Sequence, residues 1–157
     1  MEIRITNRQR ARKIDVKRLK SAIQQTLDWQ KVERADIGVR IVGEVEMTRL
    51  NETYLQHAGA TDVITFDYSG AVRLSAKRLA SRRHNPIPAP PLFGEIVVCL
   101  DEAILQAKKF RCDWRQEILR YVVHGILHLL GHEDLHVASR RRMKLEENRI
   151  MRLLRTR

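Results

Sequence analysis

The chain has only two cysteines, no apolar run long enough to cross a membrane, and too few acidic residues to balance its basic ones. Cys99 lies in an apolar run and Cys112 just past a helical one, and neither has a neighbouring cysteine at zinc-finger spacing. They are too few for a disulfide framework, so both read as reduced thiols. The longest apolar stretch, around Tyr121 to Leu130, is interrupted by histidines and falls short of the roughly 20 residues that a membrane span needs. Met1 to Arg12 is charged rather than apolar, which excludes an ordinary secretory leader at the start of this sequence. A soluble, cytoplasmic protein with no membrane partner is the expectation. Proline is confined to Pro86, Pro88, Pro90 and Pro91. Against 19 Asp and Glu stand 30 Lys and Arg, giving a net charge of +11. Such an excess draws polyanions by releasing their counterions, and nucleic acid is the first partner to consider.

Within 157 residues one domain is expected, long enough to bury a core without staples. Strands are predicted at Glu2–Thr6, Ile37–Val42, Thr61–Phe66 and Glu95–Leu100, from alternation and β-branched content. A helix capped by Asp15 runs to about Trp29, with Val16, Leu19, Ile23 and Leu27 on one face. Helical spacing returns over Glu44–His57, from Asp101 as a cap to Phe110, from Asp113 as a cap to Gly131, and over His136–Arg155. In the last helix the apolar positions are Met143, Leu145, Ile150 and Leu153. Residues 69–93 are basic and hold every proline, so they are expected to form an exposed, flexible loop. A short helical turn near Leu79 fits there, as does an RNA contact through Arg82 and Arg83. The fold class is α+β: a single domain, residues 1–157, with a mixed sheet of about four strands covered by helices.

The most informative stretch is His124-Gly-Ile-Leu-His128-Leu-Leu-Gly131-His132-Glu133-Asp134-Leu135-His136. Residues four apart on a helix share a face, with side-chain origins about 6 Å from each other, so two imidazoles there can chelate one ion. Gly131 lets the backbone turn and bring in a third ligand. A single histidine in an apolar helix is usually a hydrogen-bonded core residue. Two at this spacing, followed by glycine and a cluster of His, Glu and Asp, point to a metal instead. Nitrogen donors favour zinc, and three protein ligands leave a position for water, whose pKa the ion lowers to roughly 7. In the metalloprotease signature H-E-x-x-H the glutamate is the general base. Here that position is Gly125, which cannot take a proton, and peptide hydrolysis lacks its base.

These residues resemble the YbeY family of bacterial rRNA-maturation endoribonucleases, with its signature H-G-x-L-H-L-x-G-x-D-H. His124 to Gly131 match the fixed positions of its first half. Leu50-Asn51 with Thr61-Asp62-Val63-Ile64-Thr65-Phe66 is similar to the family's L-N and T-D-V-L-S-F block, and Gly94-Glu95-Ile96-Val97-Val98 to its G-D-I-V-I strand. The likeness spans about residues 37 to 151. It implies a single α+β domain with a metzincin-like metal-binding helix beside a mixed sheet. It further implies a zinc-dependent endonuclease of single-stranded RNA, not DNA, acting in 16S rRNA maturation and ribosome quality control on the ribosomal subunit.

Two positions depart from the family pattern. Its third histidine falls on Asp134, whose carboxylate can serve as third zinc ligand, with His136 and His132 as competitors. An Asp there removes one positive charge from the site and makes the bound water less acidic. The arginine that usually follows the family's tyrosine is replaced by Leu55, after Tyr54. A leucine cannot steady phosphorane charge, so Arg49 is the first candidate to substitute as a catalytic cation and His57 the second. Arg140, Arg141, Arg142, Arg149, Arg152, Arg155 and Arg157 form either a phosphate-tracking edge or a solvated helix face. A different function also fits the residues: a ribosome-associated RNA-binding factor whose zinc is structural, closed by a fourth protein ligand such as His136.

Overall fold

Parallel pairing of the first two strands sets up the architecture. The structure, a computed structural model, describes residues 1–70 and 91–155. The helical turn expected near Leu79, the expected contacts through Arg82 and Arg83, and Arg157 fall outside them. Strands β1 (Glu2–Asn7), β2 (Ala35–Val42), β3 (Val63–Asp67) and β4 (Leu92–Cys99) form one mixed sheet in the order β1-β2-β4-β3. β1 and β4 run parallel to β2, and β3 runs antiparallel to β4. The helices among the described residues are α1 (Val16–Trp29), α2 (Glu44–Leu50), α3 (Leu100–Phe110), α4 (Trp114–Leu129) and α5 (Val137–Arg155), with a π-helical turn at Asn51–Leu55. The α+β class with a four-stranded mixed sheet is as the sequence suggests.

Register explains the layers. Ile3 pairs with Ile37, Val39 with Ile96 and Ile41 with Val98. These side chains form one face, buried under Leu19, Ile23 and Leu27 of α1 and Ile118, Val122, Ile126 and Leu129 of α4. The opposite face places Val42, Ile64, Val97 and Cys99 against Met47 of α2. A third cluster joins Val123 and Leu127 of α4 to Met143, Ile150 and Met151 of α5. Helix α4 is therefore covered on two sides, which accounts for its nearly continuous apolar sequence. Gly125 makes its approach to the sheet possible: a Cβ there would lie 2.6 Å from Cγ2 of Ile96.

Several sequence expectations need correction. β4 begins at Leu92, inside the segment expected to be loop, because Leu92 and Phe93 pair in register with Ala35 and Asp36 of β2. Ser69, at the other end of that segment, is buried rather than exposed; its hydroxyl donates to the Phe93 carbonyl and accepts from the Phe93 N–H. Asp15 and Asp113 cap α1 and α4 through the N–H groups of Arg18 and Arg115. Asp101 does not cap its own helix. It sits in the first turn of α3, and its carboxylate accepts the Glu44 N–H at the start of α2, 2.6 Å away. The helix expected through His57 ends at Leu50 and widens into the π turn, where the buried Asn51 amide donates to the Gly59 carbonyl. Val16, Leu145 and Leu153 lie outside the apolar faces expected of them: α5 turns Met143, Glu147, Ile150 and Met151 inward. Both cysteines are free, Cys99 buried and Cys112 exposed. No described helix is long and apolar enough to cross a membrane.

Candidate metal centre

Helix α4 presents Arg120, His124 and His128 at successive i, i+4 positions, one partly exposed stripe between its two buried faces. After Leu129 the chain turns through Gly131, whose φ of +92° suits glycine far better than any residue with a Cβ. The following loop carries Asp134 back over the stripe. Arg140 Nε donates to the Asp134 carbonyl at 2.9 Å and fixes this return.

Three donor atoms converge there. His124 Nε2 and His128 Nε2 are 3.1 Å apart, and Asp134 Oδ2 is 3.7 Å from each. A triangle with these sides has a circumradius of about 2 Å, matching the usual zinc–nitrogen and zinc–oxygen bond lengths. Hydrogen bonding also fits a cation. His124 Nδ1 faces Glu147 Oε2 at 3.0 Å, and His128 Nδ1 faces the His132 carbonyl at 3.0 Å. A carboxylate and a carbonyl only accept, so both Nδ1 atoms carry hydrogen and donate. Both Nε2 atoms are then bare lone pairs, aimed at each other and at a carboxylate oxygen. Burial, and next the neighbouring His124, lower the pKa of His128, so an added proton is a poor solution to this crowding. A divalent ion is a good one. Among the described residues, these three are the only group of His, Cys, Asp and Glu with donor atoms close enough to share an ion.

Other residues considered from sequence lie elsewhere. His136 is exposed and outside the triad; its carbonyl accepts the Arg140 N–H at the start of α5. His132 contributes its carbonyl to His128, and its ring is not in the donor group. Arg49 lines a separate hollow with Arg8, Gly43, Glu46 and Asp101. Leu55 and His57 are exposed around the end of the π turn.

Two members of the triad, His124 and Asp134, line a cleft of about 500 Å³. Its lining carries the cations Arg120, Arg140 and Lys144 together with the acids Asp62, Glu102 and Glu117, and Glu117 Oε1 lies 3.9 Å from Arg120 Nε. Tyr121, also in the lining, has a buried hydroxyl with no hydrogen-bond partner among the described residues. Burial first, then the charges of Asp62, Glu117 and Glu102, push its phenol well above the ordinary range. Glu147, only 3% exposed, lies behind the triad. Its Oε1 accepts from Arg120 at 2.5 Å and Lys144 at 2.8 Å. Burial pushes the Glu147 carboxyl up, but hydrogen bonds from His124, Lys144 and Arg120 outweigh it and hold the group at about 2.

Sequence reasoning missed Glu147 and the cleft cation Arg120. Both left signals. Glu147 falls four residues after Met143 and three before Ile150, which places an acid on an apolar stripe. Arg120 precedes His124 by one helical turn.

Residues 4–155 match the model of a protein family described as Endoribonuclease YbeY. Endoribonuclease YbeY of Chlorobium phaeovibrioides is 31% identical over 154 residues, covering 98% of this chain and 91% of that protein. The protein of the same name from Parabacteroides distasonis is 31% identical over 119 residues, covering 76% and 71%. The solution structure of TM1509 from Thermotoga maritima superposes with a TM-score of 0.61 at 24% identity, over 97% of this chain and 88% of that one, a likeness of fold.

Proposed function

The chain belongs to the YbeY endoribonuclease family, and from that membership and the site geometry we propose that it is a zinc-dependent endonuclease of single-stranded RNA. In this reading it acts in the cytoplasm, on 16S rRNA and the ribosomal subunit, in rRNA maturation and ribosome quality control. The observation that carries it is the convergence of two bare imidazole nitrogens and one carboxylate oxygen beside a cleft whose lining includes Arg120, Arg140 and Lys144.

His124, His128 and Asp134 hold the ion. Zinc suits a nitrogen-rich, three-donor set, and such a set leaves a coordination position open. Once bound, zinc supplies Lewis acidity toward a phosphodiester oxygen and lowers the pKa of water to about 7. The chain's own residues do the rest. Arg120, Arg140 and Lys144 hold the phosphate against the triad and offset the charge that develops on it. Arg49, which faces another hollow, is not required for this. Gly125 offers no side chain for the peptidase base; its Cα packs against Ile96 instead.

The triad also favours an enzyme over a factor with structural zinc. Such a site is closed by four protein ligands, whereas His136 stands outside the donor group. Metal analysis joined to cleavage assays tests the reading. His128→Ala is expected to lose both bound zinc and RNA cleavage, and wild-type protein is expected to cut single-stranded RNA and leave casein intact. Undiminished cleavage by the purified variant would overturn it.

A further inference from the structure

We propose that Glu147 is the positioning residue of the metal centre: it presents the Nε2 of His124 to the ion and ties helix α5 to the metal-binding helix. This inference rests on the reading of His124 as a metal ligand.

The two imidazoles are backed differently. His128 donates its Nδ1–H to a neutral acceptor, the His132 carbonyl one turn along. His124 donates to the carboxylate Oε2 of Glu147, 23 residues further along the chain. An imidazole whose Nδ1–H is held by a carboxylate is fixed in tautomer and ring orientation and becomes a stronger donor through Nε2. Glu147 borders the cleft, but both of its oxygens are already engaged by protein donors. Oε2 takes His124, and Oε1 takes Arg120 from α4 and Lys144 from its own helix.

That arrangement is specific to its place in the fold. A carboxylate buried to this extent is tolerated only with charged or hydrogen-bonding partners, and here every partner is a donor. Apart from Arg120, which also donates to Asn148 at 3.0 Å, the surrounding α4–α5 contact is apolar, made by Val123 and Leu127 against Met143, Ile150 and Met151. A lone acid in that contact is costly unless it performs a task the apolar side chains cannot. Orienting His124 is such a task, because no other described acceptor contacts Nδ1 of that ring.

The test uses the full chain. Glu147→Gln removes the charge but keeps an acceptor, and Glu147→Met removes both with little change in volume. Zinc affinity, measured by chelator competition without RNA, is expected to weaken by about 10- to 100-fold in the first variant and further in the second. In nitrogen-15 NMR of metal-free wild type, His124 is expected to carry its proton on Nδ1; in Glu147→Met it is expected to populate both tautomers. Ile150→Ala, a cavity in the same helix contact, is expected to lower the melting temperature while leaving zinc affinity within twofold. Zinc affinity within twofold of wild type in Glu147→Met would overturn the inference, as would a wild-type His124 protonated on Nε2. If the wild type took up no zinc, the metal reading would fail by itself, and the tautomer of His124 would still decide the role of Glu147.

Discussion

Gly125 of α4 lies directly against Ile96 of β4, so close that a Cβ would stand 2.6 Å from Cγ2 and 3.1 Å from both Cγ1 and Cδ1. In an ordinary helix interior, Gly→Ala stabilises by about 1 kcal/mol. Here the added methyl must displace a β-branched side chain held in the central part of the sheet, at an overpacking cost of about 1–3 kcal/mol. Gly125→Ala is therefore expected to be neutral at best and typically destabilising by about 1 kcal/mol. Urea unfolding checks the sign, and a midpoint clearly above wild type would contradict it.

The proposal of Asp134 as third ligand rests on a contrast between neighbours. Asp134 Oδ2 lies 3.7 Å from both Nε2 atoms, whereas His136 and His132 stay outside the donor group. Asp134→Ala is expected to weaken zinc binding at least tenfold, while His136→Ala and His132→Ala remain within about twofold. Equal losses in the Asp134 and His136 variants would place a different residue on the ion.

Acid should unfold the metal-free protein partly through Glu147. Its folded pKa of about 2 lies below the ordinary 4.5, so the unfolded chain takes up the proton first as pH falls. The stabilisation is fully present above about pH 4.5 and is lost between there and about pH 2. It amounts to something on the order of 3 kcal/mol. The stability gap between wild type and Glu147→Gln is expected to shrink over that window in denaturant titrations. A gap independent of pH would show that the charge contributes nothing.

Salt dependence sorts the arginines of α5. Arg149 is bound by Glu146 through two hydrogen bonds, whereas Arg141 and Arg155 form no ion pair among the described residues. If this helix tracks RNA, neutralising Arg141 and Arg155 flattens the plot of log affinity against log salt by about 0.7 for each phosphate that is no longer neutralised. Arg149→Gln is expected to change the slope less. Metal-free protein keeps the RNA intact during the measurement. A slope unmoved by the double variant would mark this face as merely solvated.

Much of the architecture was legible because its signals are local. Alternation and β-branched, apolar runs located the four described strands, and helical spacing located the helices, with Asp15 and Asp113 as caps. Errors arose where a distant partner decided the outcome. Leu92 and Phe93 look like the end of a proline-rich loop until β2 supplies their ladder. Asp101 looks like the cap of its own helix until the bare N–H of Glu44 is brought beside it. Leu145 and Leu153 share a helical period with Met143 and Ile150, but packing on α4 selected the rotation that buries Glu147 and Met151.

The sequence by itself determined that His124 and His128 share a helix face, because a spacing of four along an α-helix fixes their relation whatever surrounds it. It also made a turn at Gly131 available, since glycine takes a positive φ at little cost, and the structure uses it at +92°. Tertiary structure alone brought the Asp134 carboxylate, and not the ring of His132 or His136, beside the two imidazoles, through the return of the loop and the grip of Arg140 on its carbonyl. It alone set Glu147 behind His124 and brought Arg120 of α4 onto that carboxylate. Those interactions join groups far apart in the chain or on separate helices, and their distances depend on how α4 and α5 pack, which no local spacing encodes.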